Sequence, residues 1–283
     1  MTARRVVIQY CPVPAGLDRY LSVLFYCEIE LGENERLHDV LFPDWASLRF
    51  HFGSTGDGEI RAGSRLESCR FSVTGPRSQE VRFSMATARE WGFGLTPLGW
   101  ATFLGVPADR YANVLVDGDA DPVFAHFKPL HDALAAEDSP GDQLDRLTAF
   151  VAAMPRRPVV HEDLILAICE ALANPEVRSA TDLAARVRAH PRMVERVCRA
   201  AFGFPPKLLL RRQRFLRSIE QFTLEPKRKW IGAIDSAYHD QAQFVRDFRA
   251  FMGMTPRQYA KLDKPVTGPL MRERARHARL ALR

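Results

Sequence analysis

The sequence predicts an α+β chain. An N-terminal antiparallel β barrel or sandwich with flanking helices precedes a C-terminal all-α region in which one helical unit is built twice. Three observations carry this. Apolar and polar residues alternate through short runs up to about residue 120. Beyond residue 158 the apolar spacing changes to the helical period. And the pattern R-x2-R-x3-G-x2-P occurs twice, at Arg196, Arg199, Gly203 and Pro206 and again at Arg246, Arg249, Gly253 and Pro256, fifty positions apart. A repeat of that size is one supersecondary unit made twice.

In the first part, Leu48, Phe50 and Phe52 alternate with Arg49 and His51, as a half-buried strand requires. Gly53 to Gly58 is predicted to be a turn; Cys69, Phe71 and Val73 form the next strand; Gly75-Pro76 breaks the chain; Val81, Phe83 and Met85 follow. Short strands between Gly/Pro turns suit a barrel or a sandwich. Two helices come next. Val123, Phe127, Leu130 and Leu134 recur at helical spacing over Pro122 to Ala136, as do Leu144, Leu147 and Val151 over Asp142 to Ala153. Their apolar stripes need a partner, and pairing of two subunits is one way to supply it.

Met154-Pro155-Arg156-Arg157-Pro158 cannot continue a helix and marks the boundary between domains 1–157 and 158–262, with a basic tail over 263–283. The second domain reads as helices at Asp163 to Ala173, then one capped by Thr181, then Arg192 to Ala201 behind His190-Pro191, Pro206 to Phe222, a short Gly232 to Ala237, and Asp240 to Met252.

The charge supports a division of labour. The net charge is +6; residues 1–157 carry −5 and residues 158–283 carry +11, and −5 + 11 = +6. A basic half joined to an acidic one fits a nucleic-acid-binding region attached to something else. No apolar run is long enough to cross a membrane and no charged-then-apolar leader is present, so a cytoplasmic location and no membrane partner are expected. The five cysteines, at 11, 27, 69, 169 and 198, are scattered and contain no C-x-x-C pair, which favours buried reduced thiols.

Residues 182–201 and 232–251 each describe two short helices and a tight turn, a helix-turn-helix. In each, a small residue stands six positions before a turn residue: Ala184 before His190, Ala233 before His239. Over residues 160–262 this arrangement resembles the AraC family of bacterial transcription regulators. The matching residues are Asp182-Leu183-Ala184, Arg196, Phe202-Gly203, Pro206, Arg214 and Ser218. To these are added the run Tyr238 to Phe244, then Arg246, Phe248-Arg249, Gly253, Thr255-Pro256 and Tyr259. Departures are His190 where a serine cap is usual, Cys198 for an aromatic, Gly232 at an apolar position and Ala237 for the turn glycine. Pro43-Asp44 and Gly75-Pro76 are similar to a sensor-like domain of one branch of that family. The resemblance implies double-stranded DNA as partner and recognition helices that each enter one major groove, about one helical turn (~34 Å) apart.

The candidate DNA-binding residues are Arg192, Glu195, Arg196, Arg199, His239, Gln241, Gln243, Arg246 and Arg249. Arginine offers a fork for guanine or phosphate, glutamine suits adenine, and glutamate accepts from cytosine. Glu195 and Arg199 could instead pair with each other, and His239 and Asp240 could cap their helix. Arg196 could ion-pair with Asp182 or Asp247. Arg214 is placed to brace the two units. Trp45, Trp91 and Trp100 stand beside turns where aromatic walls line ligand pockets.

Catalytic patterns fail. The Asp117, Asp119, Asp121 run lacks the glycine and closing glutamate of a calcium loop. His161-Glu162 lacks a second histidine, and there is no phosphate-binding loop or nucleophile elbow. The alternative function, an enzyme barrel acting on a small ligand with a helical targeting module, would need a site such as His38, Asp39, Asp44 and His51 brought together. The expectation is therefore a cytoplasmic, sequence-specific transcription regulator and not an enzyme, needing no cofactor or metal. Its N-terminal domain senses a small-molecule effector or mediates homodimer formation, or both, with RNA polymerase a candidate partner.

Overall fold

The computed structural model describes residues 4–54, 56–61, 63–224 and 230–273. The N-terminal part is a sandwich of two antiparallel sheets, not a closed barrel. One sheet has the order β1 (Arg5–Cys11), β2 (Leu21–Glu30), β9 (Ala88–Leu95), β4 (Ala46–Gly53), β7 (Phe71–Thr74), β10 (Leu115–Asp117). The other has the order β3 (Leu37–Leu41), β8 (Val81–Met85), β5 (Asp57–Ile60), β6 (Ser64–Leu66).

Alternation explains the two faces of the larger sheet. Leu48 and Phe50 on β4, Phe71 and Val73 on β7, and Trp91 and Phe93 on β9 are buried on one face. Arg49, His51 and Glu90, at the intervening positions, turn toward the smaller sheet. Gly92 lies there too; a Cβ at this position would come within 2.3 Å of the Phe25 ring, so only glycine lets that ring lie across the strand. The expected turn at Gly53 to Gly58 is shorter than its composition suggested, because pairing resumes at Asp57 opposite Ser84. Cys69 falls before β7 rather than on it.

The helices of the first part cover the apolar face. Helix α1 (Pro97–Phe103) begins where Thr96 accepts from the Gly99 N–H and Pro97 starts the first turn. The stretch from Pro122 divides. A 3₁₀ turn, Pro122–Phe127, is capped by Asp121, and α2 (Lys128–Ala135) starts afresh because Pro129 fits only a first turn. Helix α3 (Pro140–Ala153) starts behind Ser139. Phe124, Phe127, Leu130, Leu134, Leu147 and Val151 are all wholly buried in the chain's own core. The sheet therefore supplies the partner that subunit pairing was expected to supply, and the argument for a dimer through these stripes falls away.

The C-terminal part contains α4 (Glu162–Ala173), α5 (Ala180–Arg186), α6 (Pro191–Phe202), α7 (Pro206–Leu224), α8 (Trp230–Ala233), α9 (Gln241–Met252) and α10 (Pro256–Lys261). Ser179, not Thr181, caps α5, in a reciprocal capping box with Asp182. The principal core runs without interruption from Leu48 and Trp91 through Val151 and Ile168 to Val197 and Phe202, so the first repeat unit shares its core with the sheets. The second unit packs in a separate, smaller cluster built on Phe215, Phe244, Phe248, Phe251 and Tyr259, which also takes in Val40 and Phe42 from the N-terminal part. Cys11, Cys27 and Cys198 are buried and all five thiols are free, with burial pushing Cys198 up to about 12. Residues 263–273 fold back on β3, where the Asp39 carboxylate accepts from the Val266 and Thr267 N–H groups at 2.8 and 2.7 Å. The last part of the basic tail, residues 274–283, lies outside the described residues.

Candidate nucleic-acid interface and ligand cavity

The two repeat units present the same surface. Along Pro191 to Ala200 and Gln241 to Ala250 the sequence of exposed, half-buried and buried positions is identical. Val194, Val197 and Cys198 point inward in one, and Phe244, Asp247 and Phe248 in the other. Each helix ends on a left-handed glycine, Gly203 at φ +82° and Gly253 at φ +64°, so the shared R-x3-G spacing is the helix-stop of each unit.

The outward side chains differ in what holds them. In the first unit Arg199 pairs with Glu195 at 2.8 Å, one turn back, and Arg196 reaches His161 Nε2 at 3.1 Å rather than Asp182 or Asp247. His190 caps α6, its Nδ1 accepting from the Arg192 N–H at 3.3 Å. In the second unit Asp240 caps α9 by accepting from the Gln243 N–H at 2.6 Å, and the Gln243 side chain accepts in return from the His239 N–H at 3.1 Å. Gln243 thus serves the cap, and His239 takes part through its backbone. The side chains of Arg192, Gln241, Arg246 and Arg249 have no hydrogen bond or ion pair among the described residues. Arg246 instead lines a groove of about 470 Å³ between the units, with Arg178, Ser179, Lys207 and Arg211.

Helix α7 fixes one unit against the other. Its 19 residues span about 28 Å at the α-helical rise. Arg214 donates to the Ala237 carbonyl at 3.3 Å and lies 3.5 Å from the Asp247 carboxylate, bracing turn and recognition helix as its position suggested. Arg211 holds Asp247 at 2.6 Å and Arg217 holds Asp235 at 2.5 Å. The Asp235 N–H donates to the Ser218 hydroxyl.

Arg212, from the same helix, is almost fully buried and turns to the sheets. It donates to the carbonyls of Asp44 and Arg77 at 3.2 and 3.0 Å and sits 3.9 Å from the centre of the Trp45 ring. Nothing in the run Arg211-Arg212-Gln213-Arg214 marked it out from its neighbours.

Beside this joint, between the two sheets, lies a cavity of about 140 Å³ with walls from Tyr10, Phe25, Leu41 and Phe83 and polar groups from Arg49, Arg77 and Glu90. Burial pushes Glu90 upward, but the His51 hydrogen bond and charge and the Arg49 guanidinium outweigh it, and its carboxyl is held below the usual range. Of the three tryptophans expected near a pocket only Trp45 borders it. Trp91 and Trp100 are core residues whose indole N–H groups donate to Gln143 and to the Val106 carbonyl. His38, Asp39, Asp44 and His51 do not converge: Asp39 holds residues 266–267, and His51 bonds Ser72 and Glu90. Among the described residues no cluster of three metal-ligating side chains exists, and no helix is long and apolar enough to cross a membrane.

Residues 183–262 match a family profile described as a helix-turn-helix domain. No curated protein matches the chain. Among solved structures, the chain is similar to an apo variant of ToxT from Vibrio cholerae (10% identity, 90% of this chain and 96% of that one, TM-score 0.43). It is similar also to wild-type ToxT with unsaturated fatty acid bound (11% identity, 82% and 96%, TM-score 0.44). A third is the AraC-like transcriptional activator CuxR (13% identity, 75% and 86%, TM-score 0.30). The repeated units, their glycine stops, the bracing helix and the profile match agree, and the C-terminal region is a helix-turn-helix domain of the AraC type.

Proposed function

We propose that this chain is a sequence-specific DNA-binding transcription regulator whose DNA affinity is set by a small molecule held between the two sheets. The observation that carries the reading is the pair of recognition helices with one exposure pattern, joined by one helix and bearing Arg192, Arg246 and Arg249, which no group among the described residues neutralises. Arg246 and Arg249 are assigned to phosphate, with Lys207 and Arg211 beside Arg246 in the groove. Arg192 and Gln241, free at the starts of α6 and α9, are assigned to base edges, the part of a recognition helix that reaches them. Arg196, Arg199 and Glu195 act as a surface already organised within the chain, and Gln243 as the cap that orients α9. The effector half of the reading rests on the cavity sharing Trp45 and Arg77 with the Arg212 joint.

Binding of the full-length chain to genomic fragments, followed by sequencing of the bound set, tests the first half. About five neutralised phosphates give a slope of log K against log salt near −4.5. A flat salt dependence, or a bound set without a common sequence, would reject it.

A further inference from the structure

We infer that the cavity between the sheets is built for a small monocarboxylate with a compact apolar body, its carboxylate seated on the Arg77 guanidinium; this rests on the reading of that cavity as the effector site. Arg77 is 4% exposed and lines the cavity, yet its Nε and Nη1 have no hydrogen-bond partner, and it forms no ion pair among the described residues. Buried guanidinium donors are normally satisfied, because an unmet buried donor forfeits its hydration for nothing. Burial lowers Arg77 to about 9; the Asp44 charge opposes that shift, while Arg49 and Arg212 add to it. The side chain is thus a cation at neutral pH in need of an anion.

Charge and size choose the anion. Arg49 already faces Glu90 at 3.9 Å. Arg77 itself has no ion pair among the described residues, and a monoanion supplies the one negative charge that it lacks. A carboxylate oxygen accepts charge-assisted hydrogen bonds from such donors and carries the charge that matches them. The free volume of about 140 Å³ is close to that of apolar cavities of ~150 Å³ that take up one benzene. A single ring or a short branched chain fits against Phe25, Leu41 and Phe83. A longer chain has to displace Val266 and Met271, which close one side.

The position of Arg77 also connects the site to DNA binding. Its loop, residues 75–80, touches both repeat units. A Cβ at Gly203 would lie 3.0 Å from Pro76, and one at Gly253 would lie 2.4 Å from Glu80 Oε1. The Glu80 N–H donates to the Phe251 carbonyl at 2.9 Å, and the Arg77 carbonyl accepts from Arg212. An anion that shifts Arg77 therefore pulls on the stops of both recognition helices and on the helix between them.

Calorimetric titration of the full-length protein with benzoate, benzamide and benzyl alcohol, alongside DNA affinity without ligand, tests this. Benzoate is expected to bind about 10-fold or more tighter than either neutral probe. Arg77→Met should abolish that preference, and retained DNA binding without ligand shows that the variant has folded. Arg77→Lys, which keeps the charge, should retain a reduced preference and guards against a folding failure of the first variant. Equal binding of the three probes, or a benzoate preference that survives Arg77→Met, overturns the anion site and leaves the effector cavity standing. No binding by any of them at millimolar concentration overturns both the anion site and the effector cavity, and leaves the DNA-binding reading to its own test.

Discussion

The two helix-turn-helix units have one fold and two ways of being held. The first shares the core of the sheets and buries small residues, Val197 and Cys198, where the second buries Asp247 and Phe248. The second hangs on α7, on a cluster of aromatic rings and on a buried carboxylate clasped by two arginines. Their turns differ as well. Arg188 takes a left-handed conformation at φ +51°, whereas among the described residues no residue of the second turn has positive φ. Ala184 stands six residues before its cap, His190, and Ala233 seven before its cap, Asp240; the extra residue spreads the second reversal over more bonds, so that Ala237 serves where a glycine is usual. The same outer surface is thus obtained from a unit whose core is continuous with the larger sheet and from one held by a separate cluster of rings and by the arginines of α7.

Aromatic burial is where the comparison can be broken hardest. Phe248 is fully buried, with ring centres of Phe215, Phe244 and Tyr259 at 5.4 to 5.6 Å. Phe248→Ala should cost about 3–5 kcal/mol by chemical denaturation, while Cys198→Ala, at the equivalent place, should cost about 1. Similar losses at both would show that the second core is no more dependent on its rings than the first.

The buried carboxylate comes next. Asp247→Ala strands Arg214 and leaves Tyr238 without its acceptor, and should cost about 2–3 kcal/mol. This is less than for a wholly buried pair, because Arg211 is more than a third exposed. Its counterpart Val197→Ala should cost roughly 1–2 kcal/mol through lost packing alone. Raising the salt concentration should narrow the gap; a gap indifferent to salt would assign the loss at 247 to volume.

On DNA, Arg246→Ala should lower the salt slope by about 0.9 and weaken all sequences alike. Arg196→Ala, where the guanidinium already spends a donor on His161, should change it less. Equal changes would mean that His161 releases Arg196 on binding. The smallest effect is a pair of opposite sign. Arg188→Gly should stabilise by up to about 1 kcal/mol by relieving a left-handed residue, and Ala237→Gly should destabilise by about 0.5–1. If both shift thermal unfolding in one direction, the turns are not distinguished by backbone strain.

These contrasts also explain what could be read from the chain. Alternation at Leu48 and Phe50 and the glycine stops at 203 and 253 are local signals, and they placed the strand and both helix ends. The brace by Arg214 followed from the family resemblance, and it is made to the second unit. Other features depend on partners distant in sequence. Gln243 and Arg199 look like free contact groups until the cap at Asp240 and the pair with Glu195 are seen. The stripe through Leu130 and Leu147 looks open until the sheet covers it. Arg77 and Arg212 meet 135 residues apart, and no periodicity records such a meeting.

The loop of residues 75–80 carries a practical lesson for anyone who would exchange parts between such proteins. A hybrid that joins this N-terminal half to another helix-turn-helix half at residue 158 would leave Pro76 and Glu80 facing unfamiliar helix ends and Arg77 without Arg212. Glycines 203 and 253, Arg212 and the loop form one set of contacts; under the proposed reading, a transplant that keeps them together should still respond to a ligand, whereas a cut between them should yield a chain that binds DNA but no longer responds.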